Sequence, residues 1–325
     1  MRNSTARQMR QTIQQHGQQL ADEIQKLMRQ DAEQLASGET LLSSRYGECP
    51  FSVLNTNTGR WRGREREYKD IGLQSGCGRD VELYNTGGSL AVKRFATGTS
   101  VFSAHLCELV YDWYCPDGGS VLDPFAGGSV RGIVAGMRGH SYTGIDIRQE
   151  QIDANLAQVE SMADRLVTRP QYICGDSRAL LDDVQGQYDL VFTCPPYGDL
   201  EVYSKLEGDI SNMSYHDFIQ AYCDIIKKSC GKLKEGCFAV FVVGDFRDSK
   251  GFLQGFVPDT VYAFQLAGMN YYNEMILETP AGTAPMRAKQ FDASRKILKI
   301  HQNVLVFCKG RPDRRNFRKF DGGDG

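Results

Sequence analysis

From about residue 101 onward, short apolar runs alternate with stretches in which apolar side chains recur at helical spacing. The runs predict strands at Ser120–Asp123, Ser141–Ile147, Tyr172–Gly175, Leu190–Thr193, Phe238–Val243, Asn273–Leu277 and Asn303–Cys308. The periodic stretches predict helices near 104–114, 129–138, 149–165, 213–233 and 258–267. Strand and helix in turn are the mark of a mostly parallel sheet covered by helices. No convincing helix separates the last two strands, which predicts an antiparallel pair at one sheet edge, in a sheet of seven strands.

Outside residues 101–310 the patterning is looser. Residues 4–36 are rich in Gln, with Met9, Ile13, Leu20, Ile24, Leu27, Met28 and Leu35 at roughly helical spacing. They predict an N-terminal helical extension over 1–45. It serves either as a solvated arm or contact for a homodimer, or as a DNA-facing arm carrying Arg2, Arg7 and Arg10. Residues 46–100 are polar and Gly-punctuated, without a clean period. Within them Arg60-Trp61-Arg62-Gly63-Arg64-Glu65-Arg66 mixes arginines with a tryptophan. That mixture suits phosphate contact with stacking, through Arg62 and Arg64; the alternative is a partly solvated loop whose Trp61 caps the core. Residues 311–325 carry Arg311, Arg314, Arg315, Arg318 and Lys319 and read as a basic, flexible tail.

Composition narrows the class. The 325 residues are 41% hydrophobic and 10% aromatic, ample for a packed interior. No run approaches the roughly 18 apolar residues of a membrane span, so no membrane partner is expected and a cytoplasmic location is, with nucleoid association while acting on DNA. The formal charge is −2, so affinity for nucleic acid must come from local basic patches. Ten cysteines without a C-x-x-C pair, and five histidines, suggest neither a disulfide framework nor a metal site. Most of these thiols are expected to be small buried hydrophobes.

The candidate chemistry begins at Val121-Leu122-Asp123-Pro124-Phe125-Ala126-Gly127-Gly128-Ser129, a buried strand running into an acidic residue, a glycine turn and a helix. Gly127 and Gly128 let backbone approach a ligand closely. Asp146 ends the second strand about 20 residues on, where a carboxylate can accept both hydroxyls of an adenosine ribose. Asp176 follows the third strand, within reach of an adenine amino group. Three acidic strand ends line one crevice at the carboxyl edge of such a sheet. Neither G-x-G-x-x-G nor G-x-x-x-x-G-K-[ST] is present, which ranks S-adenosylmethionine ahead of NAD and ATP.

The fourth strand delivers Thr193-Cys194-Pro195-Pro196-Tyr197. Two prolines stiffen the backbone and remove two donors, leaving carbonyls to accept from a substrate amino group. Tyr197 offers a flat face for stacking. With the Asp123–Gly128 turn, this loop resembles the S-adenosylmethionine-dependent DNA methyltransferases of the amino (N4-cytosine/N6-adenine) type, in which Asp, Asn or Ser precedes Pro-Pro-Tyr. His301 to Gly310 is similar to the family's last-strand region. The resemblance spans about two-thirds of the chain and implies a Rossmann-like methyltransferase fold over 101–310. It implies that Phe102, Asp123, Phe125, Gly127, Asp146 and Asp176 hold the cofactor, and that Cys194, Pro195, Pro196 and Tyr197 hold a base flipped out of DNA.

Cys194 departs from that pattern. A thiol accepts hydrogen bonds poorly and orients an amino group badly. A thiolate is a good carbon nucleophile, as C5 methylation of cytosine requires. The frame therefore argues for amino methylation, with cytosine favoured, and the one side chain for C5. Asp245, after the fifth strand, is a candidate to assist the base; in the C5 reading Asp245, Glu274 and Glu278 are the choices for holding cytosine N3. Arg287, Lys289 and Arg295 suit DNA phosphates. The remaining readings are methylation of RNA or of a protein glutamine, and an inert DNA-binding module.

Overall fold

The computed structural model describes residues 40–74, 76, 102–196, 209–282 and 284–320. The Gln-rich extension up to Glu39 and residues 75, 77–101, 197–208 (Tyr197 among them), 283 and 321–325 lie outside them.

A single mixed sheet organises the described chain. Its strands are β1 (Val53–Asn55), β2 (Ser120–Asp123), β3 (Ser141–Asp146), β4 (Gln171–Cys174), β5 (Tyr188–Thr193), β6 (Leu233–Val243), β7 (Asn270–Glu278) and β8 (His301–Cys308). They lie side by side in the order β1-β7-β8-β6-β5-β2-β3-β4. The run from β4 to β6 is parallel, whereas β8 runs antiparallel to both β6 and β7. The fold is a Rossmann-like α/β fold. The antiparallel β7–β8 pair forms toward one side of the sheet as expected. One expectation is corrected: the sheet has eight strands, because the three-residue β1 adds outside that pair, parallel to β7 through Val53 and Ile276.

Alternation along the strands divides the interior into two cores. Val121, Leu190, Phe192 and Val240 face one core, while Leu122, Val191, Ala239 and Phe241 face the other. Helices α3 (Ala104–Tyr114) and α4 (Val130–Met137) cover the first; α7 (Tyr215–Lys232) and α8 (Phe256–Leu266) cover the second. The other helices complete the order: α1 (Leu41–Tyr46), α2 (Gly59–Asp70), α5 (Gln149–Ser161), α6 (Ser177–Asp183) and α9 (Lys289–Ser294). Among the described residues no helix is long and apolar enough to cross a membrane.

The Arg-Trp-Arg segment is helix α2, not an irregular loop. Thr58 caps it by accepting from the Trp61 N–H at 3.2 Å, and the face that carries Trp61 and Tyr68 is buried. Trp61 meets His105 edge to face at 4.8 Å. The accessory segment therefore shares the first core as far as Leu73. The tail differs from expectation too. Arg318 donates to Asp112 at 2.7 Å, Phe317 packs on Phe238 and Phe320 meets Tyr46, so residues up to 320 are docked on the body.

Candidate functional site

The carboxyl ends of β2, β3, β4 and β5 frame one open crevice, about 1020 Å³ counting its mouth. Phe102, Phe125, Gly127, Asp146, Asp176, Cys194, Pro195 and Pro196 all line it. Each arrives by an ordinary device of the fold. Ser103 caps α3 and places Phe102 at the rim; Gly127 turns with φ +49°, a conformation that suits glycine; Pro195 and Pro196 follow directly from β5.

Asp146 anchors the glycine turn. One carboxylate oxygen accepts from the Gly127 N–H at 2.9 Å, the other from the Arg148 N–H at 2.9 Å. Burial pushes its carboxyl up, against those two donors. Asn155 holds the same turn from the far side, donating to the Gly127 carbonyl at 2.7 Å, and is itself held by Gln151. Asp176 caps α6 through the Arg178 N–H at 2.8 Å and faces the Arg178 guanidinium at 3.3 Å.

Asp123 is placed differently from expectation. Its carboxylate is wholly buried and accepts from the Phe125 N–H, Arg131 Nε, Tyr142 Oη and Thr193 Oγ1 at 3.1, 2.6, 2.7 and 2.5 Å. Four donors saturate it, so it shapes the crevice floor from beneath and does not line the crevice. Arg131 is the residue that this arrangement presents instead. It bonds to Asp123, donates to the Phe125 and Ala126 carbonyls at 2.8 Å each, and lies 4.5 Å from the Phe102 ring centroid. Burial opposes its charge, but the Asp123 carboxylate outweighs burial and raises its pKa. Arg131 also feels the Cys194 thiol electrostatically. Cys194 is half-buried and packs against the first core.

The other carboxylate candidates stand apart from the crevice. Asp245 caps α8: one oxygen accepts from the N–H groups of Phe246, Gly255 and Phe256 at 3.0–3.1 Å. Glu274 accepts from Asn303 at 2.8 Å. The Glu278 carbonyl ties Thr56 beyond β1. Besides Asp146 and Asp176, a third carboxylate lines the crevice: Asp209, buried just before a 3-10 turn. No spacing or motif marked it in the sequence. Arg131 was more accessible, since it stands one turn into the helix after the glycine turn, where a side chain can reach back to the strand end.

The basic candidates divide sharply. Arg64, expected to hold DNA, is partly exposed and ion-paired with Glu108, with bonds of 2.7 and 2.6 Å, and with Glu67. Arg62 is exposed and touches Asn57 at 3.2 Å. Lys289 and Arg295 are exposed, and the Arg287 side chain lies outside the described residues.

No protein family and no curated protein matches this sequence. Solved structures similar to it include TrmN from Thermus thermophilus (13% identity, TM-score 0.44, over 66% of this chain and 51% of that one). TehB from Haemophilus influenzae is similar at 14% identity and TM-score 0.40, over 65% and 63%. A magnesium protoporphyrin IX methyltransferase from Synechocystis, solved with bound S-adenosylmethionine, is similar at 11% identity and TM-score 0.43, over 70% and 88%. The chain thus spans about half the length of that TrmN chain and under two-thirds of that TehB chain. At these identities the likeness is one of fold.

Proposed function

We propose that this protein is an S-adenosylmethionine-dependent methyltransferase acting on the exocyclic amino nitrogen of a DNA base, cytosine before adenine. One observation carries the reading: the glycine turn held by Asp146 and the Cys194-Pro195-Pro196 loop open onto the same crevice. The donor set fits the cofactor. Asp146 and Asp176 keep acceptor capacity for ribose hydroxyls and an adenine amino group, and Phe102 and Phe125 give apolar walls. S-adenosylmethionine, when bound, supplies an electrophilic methyl group. Pro195 and Pro196 lack N–H groups, so the loop offers carbonyl oxygens to an amino group and holds its nitrogen in line. The Asp209 carboxylate receives the amino proton.

The second reading is C5 methylation of cytosine, favoured by the positive charge of Arg131 within electrostatic reach of Cys194. There Cys194 Sγ adds to C6, C5 takes the methyl group, and loss of the C5 proton with expulsion of the thiolate restores the ring. Digestion of treated DNA to nucleosides, followed by mass spectrometry, separates the two. N4-methylcytosine or N6-methyladenine upholds the first reading and 5-methylcytosine the second. Methylated RNA or protein in its place overturns both. Cys194→Ser retains transfer in the first and abolishes it in the second, while absence of S-adenosylmethionine binding overturns every transfer reading.

A further inference from the structure

The loop after β6 is a built hairpin. Arg247 bridges Leu253, the Asp248 N–H donates to the Phe252 carbonyl at 2.8 Å, and the Gly251 N–H donates to the Asp248 carbonyl at 2.9 Å. The Asp248 carboxylate accepts from the Phe252 N–H at 2.8 Å, and Arg247 donates to the Gly251 carbonyl at 2.9 Å. Yet this tightly bonded turn holds two large apolar side chains in solvent: Phe252 is 70% exposed and Leu253 56%.

Cations surround them. Lys250 is exposed at the tip, and the Lys296 ammonium lies against Gly251, where a Cβ would collide with it. The segment carrying Lys296 also exposes Lys289, Arg295 and Lys299, together with Phe291 and Ile297. The acids of these two segments are engaged, Asp248 in the hairpin and Asp292 facing Arg295 at 3.9 Å. The patch is therefore cationic around an apolar tip. Its place follows from the sheet: β6 lies beside β5, with Phe241 opposite Thr193, so the hairpin leaves the same edge as Cys194.

We propose that Phe252 and Leu253 form a wedge that enters duplex DNA beside the target base, with Lys250 and Lys296 on the flanking phosphates. Charge complementarity selects the polyanion, and a rigid apolar tip suits insertion between base steps. The wedge rests on the reading that a base leaves the duplex, since the space it vacates must be filled.

The test measures fluorescence anisotropy of a labelled mixed-sequence duplex, and of the same duplex carrying one mismatch, with the full chain across a salt series. The wild type binds the mismatched duplex more tightly, because its steps open more easily. F252A/L253A abolishes that preference and leaves the salt slope unchanged. Lys250→Gln with Lys296→Gln keeps the preference and flattens the slope by roughly 0.9 per lost phosphate contact. An unchanged preference in F252A/L253A overturns the wedge, as does tighter binding to single-stranded RNA or no binding to either duplex. Those results leave methyl transfer untouched. Failure to bind S-adenosylmethionine, with the mismatch preference present and lost in F252A/L253A, overturns transfer and leaves the wedge.

Discussion

Two basic stretches of this chain resemble each other as sequence and differ as structure. In α2 Arg60 and Arg64 turn inward, while Arg62 and Arg66 stay exposed. Arg64 and Arg138 both reach Glu108, His105 lies between Glu108 at 3.1 Å and Glu48 at 3.2 Å, and Arg60 donates to the Gly47 and Ser43 carbonyls. The stretch beside the crevice edge, from Lys289 to Lys299, leaves Lys289 and Arg295 in solvent and half-covers Lys296 against the hairpin. What separates them is the presence of carboxylates brought from far along the chain. Glu108 stands 44 residues from Arg64, a distance no local pattern reveals. A run of arginines is a staple or a landing surface according to whether tertiary structure supplies its counter-charge.

Substitution can break that contrast. Trp61→Ala in the inward stretch destabilises the fold by about 3–5 kcal/mol, read by urea unfolding, whereas Phe291→Ala in the outward stretch changes it by less than about 0.5 kcal/mol. Glu108→Gln follows, at about 3 kcal/mol near neutrality, because it strips counter-charge from buried neighbours. Burial alone would raise the Glu108 carboxyl; bonds from His105 and Arg64 outweigh it and hold the group at about 2, against an ordinary 4.5. A carboxyl so depressed stabilises above pH 4.5 and loses that contribution as pH falls toward 2. The gap between wild type and Glu108→Gln therefore narrows over that range in acid titrations. His105 has the opposite sign. Burial lowers its pKa but the two glutamates raise it further, so its contribution is full below pH 6.5 and fades as pH rises through the raised value.

Arg64→Ala sharpens the comparison from the binding side. It costs about 1 kcal/mol of stability, given its partial exposure, and leaves the salt dependence of DNA binding unchanged. Lys289→Ala leaves the melting temperature unchanged and flattens the salt slope by roughly 0.9. The smallest effect falls to Arg62→Ala, within about 0.5 kcal/mol in stability, because its exposed guanidinium bonds to Asn57 at the surface.

The same division explains what was legible in the sequence. Strands β2, β5, β6 and β8 announced themselves because each carries a buried apolar run, as in Leu190 to Phe192, whereas β4, with no fully buried residue, was legible from its place between a helix and an acidic turn. Strand β1 did not, since Leu54 is the one buried residue of its three. Helix α2 hid because its apolar signal is two aromatic residues seven apart amid charges. Within the site, residues supplied by one strand end and its following turn could be read, as Asp146 and Gly127 were. Roles set by the returning chain could not: Asp245 is occupied because Gly255 and Phe256 come back to it, and Asp123 is saturated by Tyr142 and Thr193.

The seat of β8 between β6 and β7 also sets an order of assembly. Strand β7 touches the sheet through β8, and β1 through β7, although β1 is synthesised first. Pairing β1 with β7 closes a loop of more than two hundred residues, an entropic cost met only after the intervening strands have docked. During synthesis the half-sheet from β4 to β6 can form, with α2 docked on α3, while β1 waits for β7. Emergence of β8 from the ribosome is then the event that commits the whole molecule, and a defect in β8 leaves three strands without a home while the glycine turn stays folded.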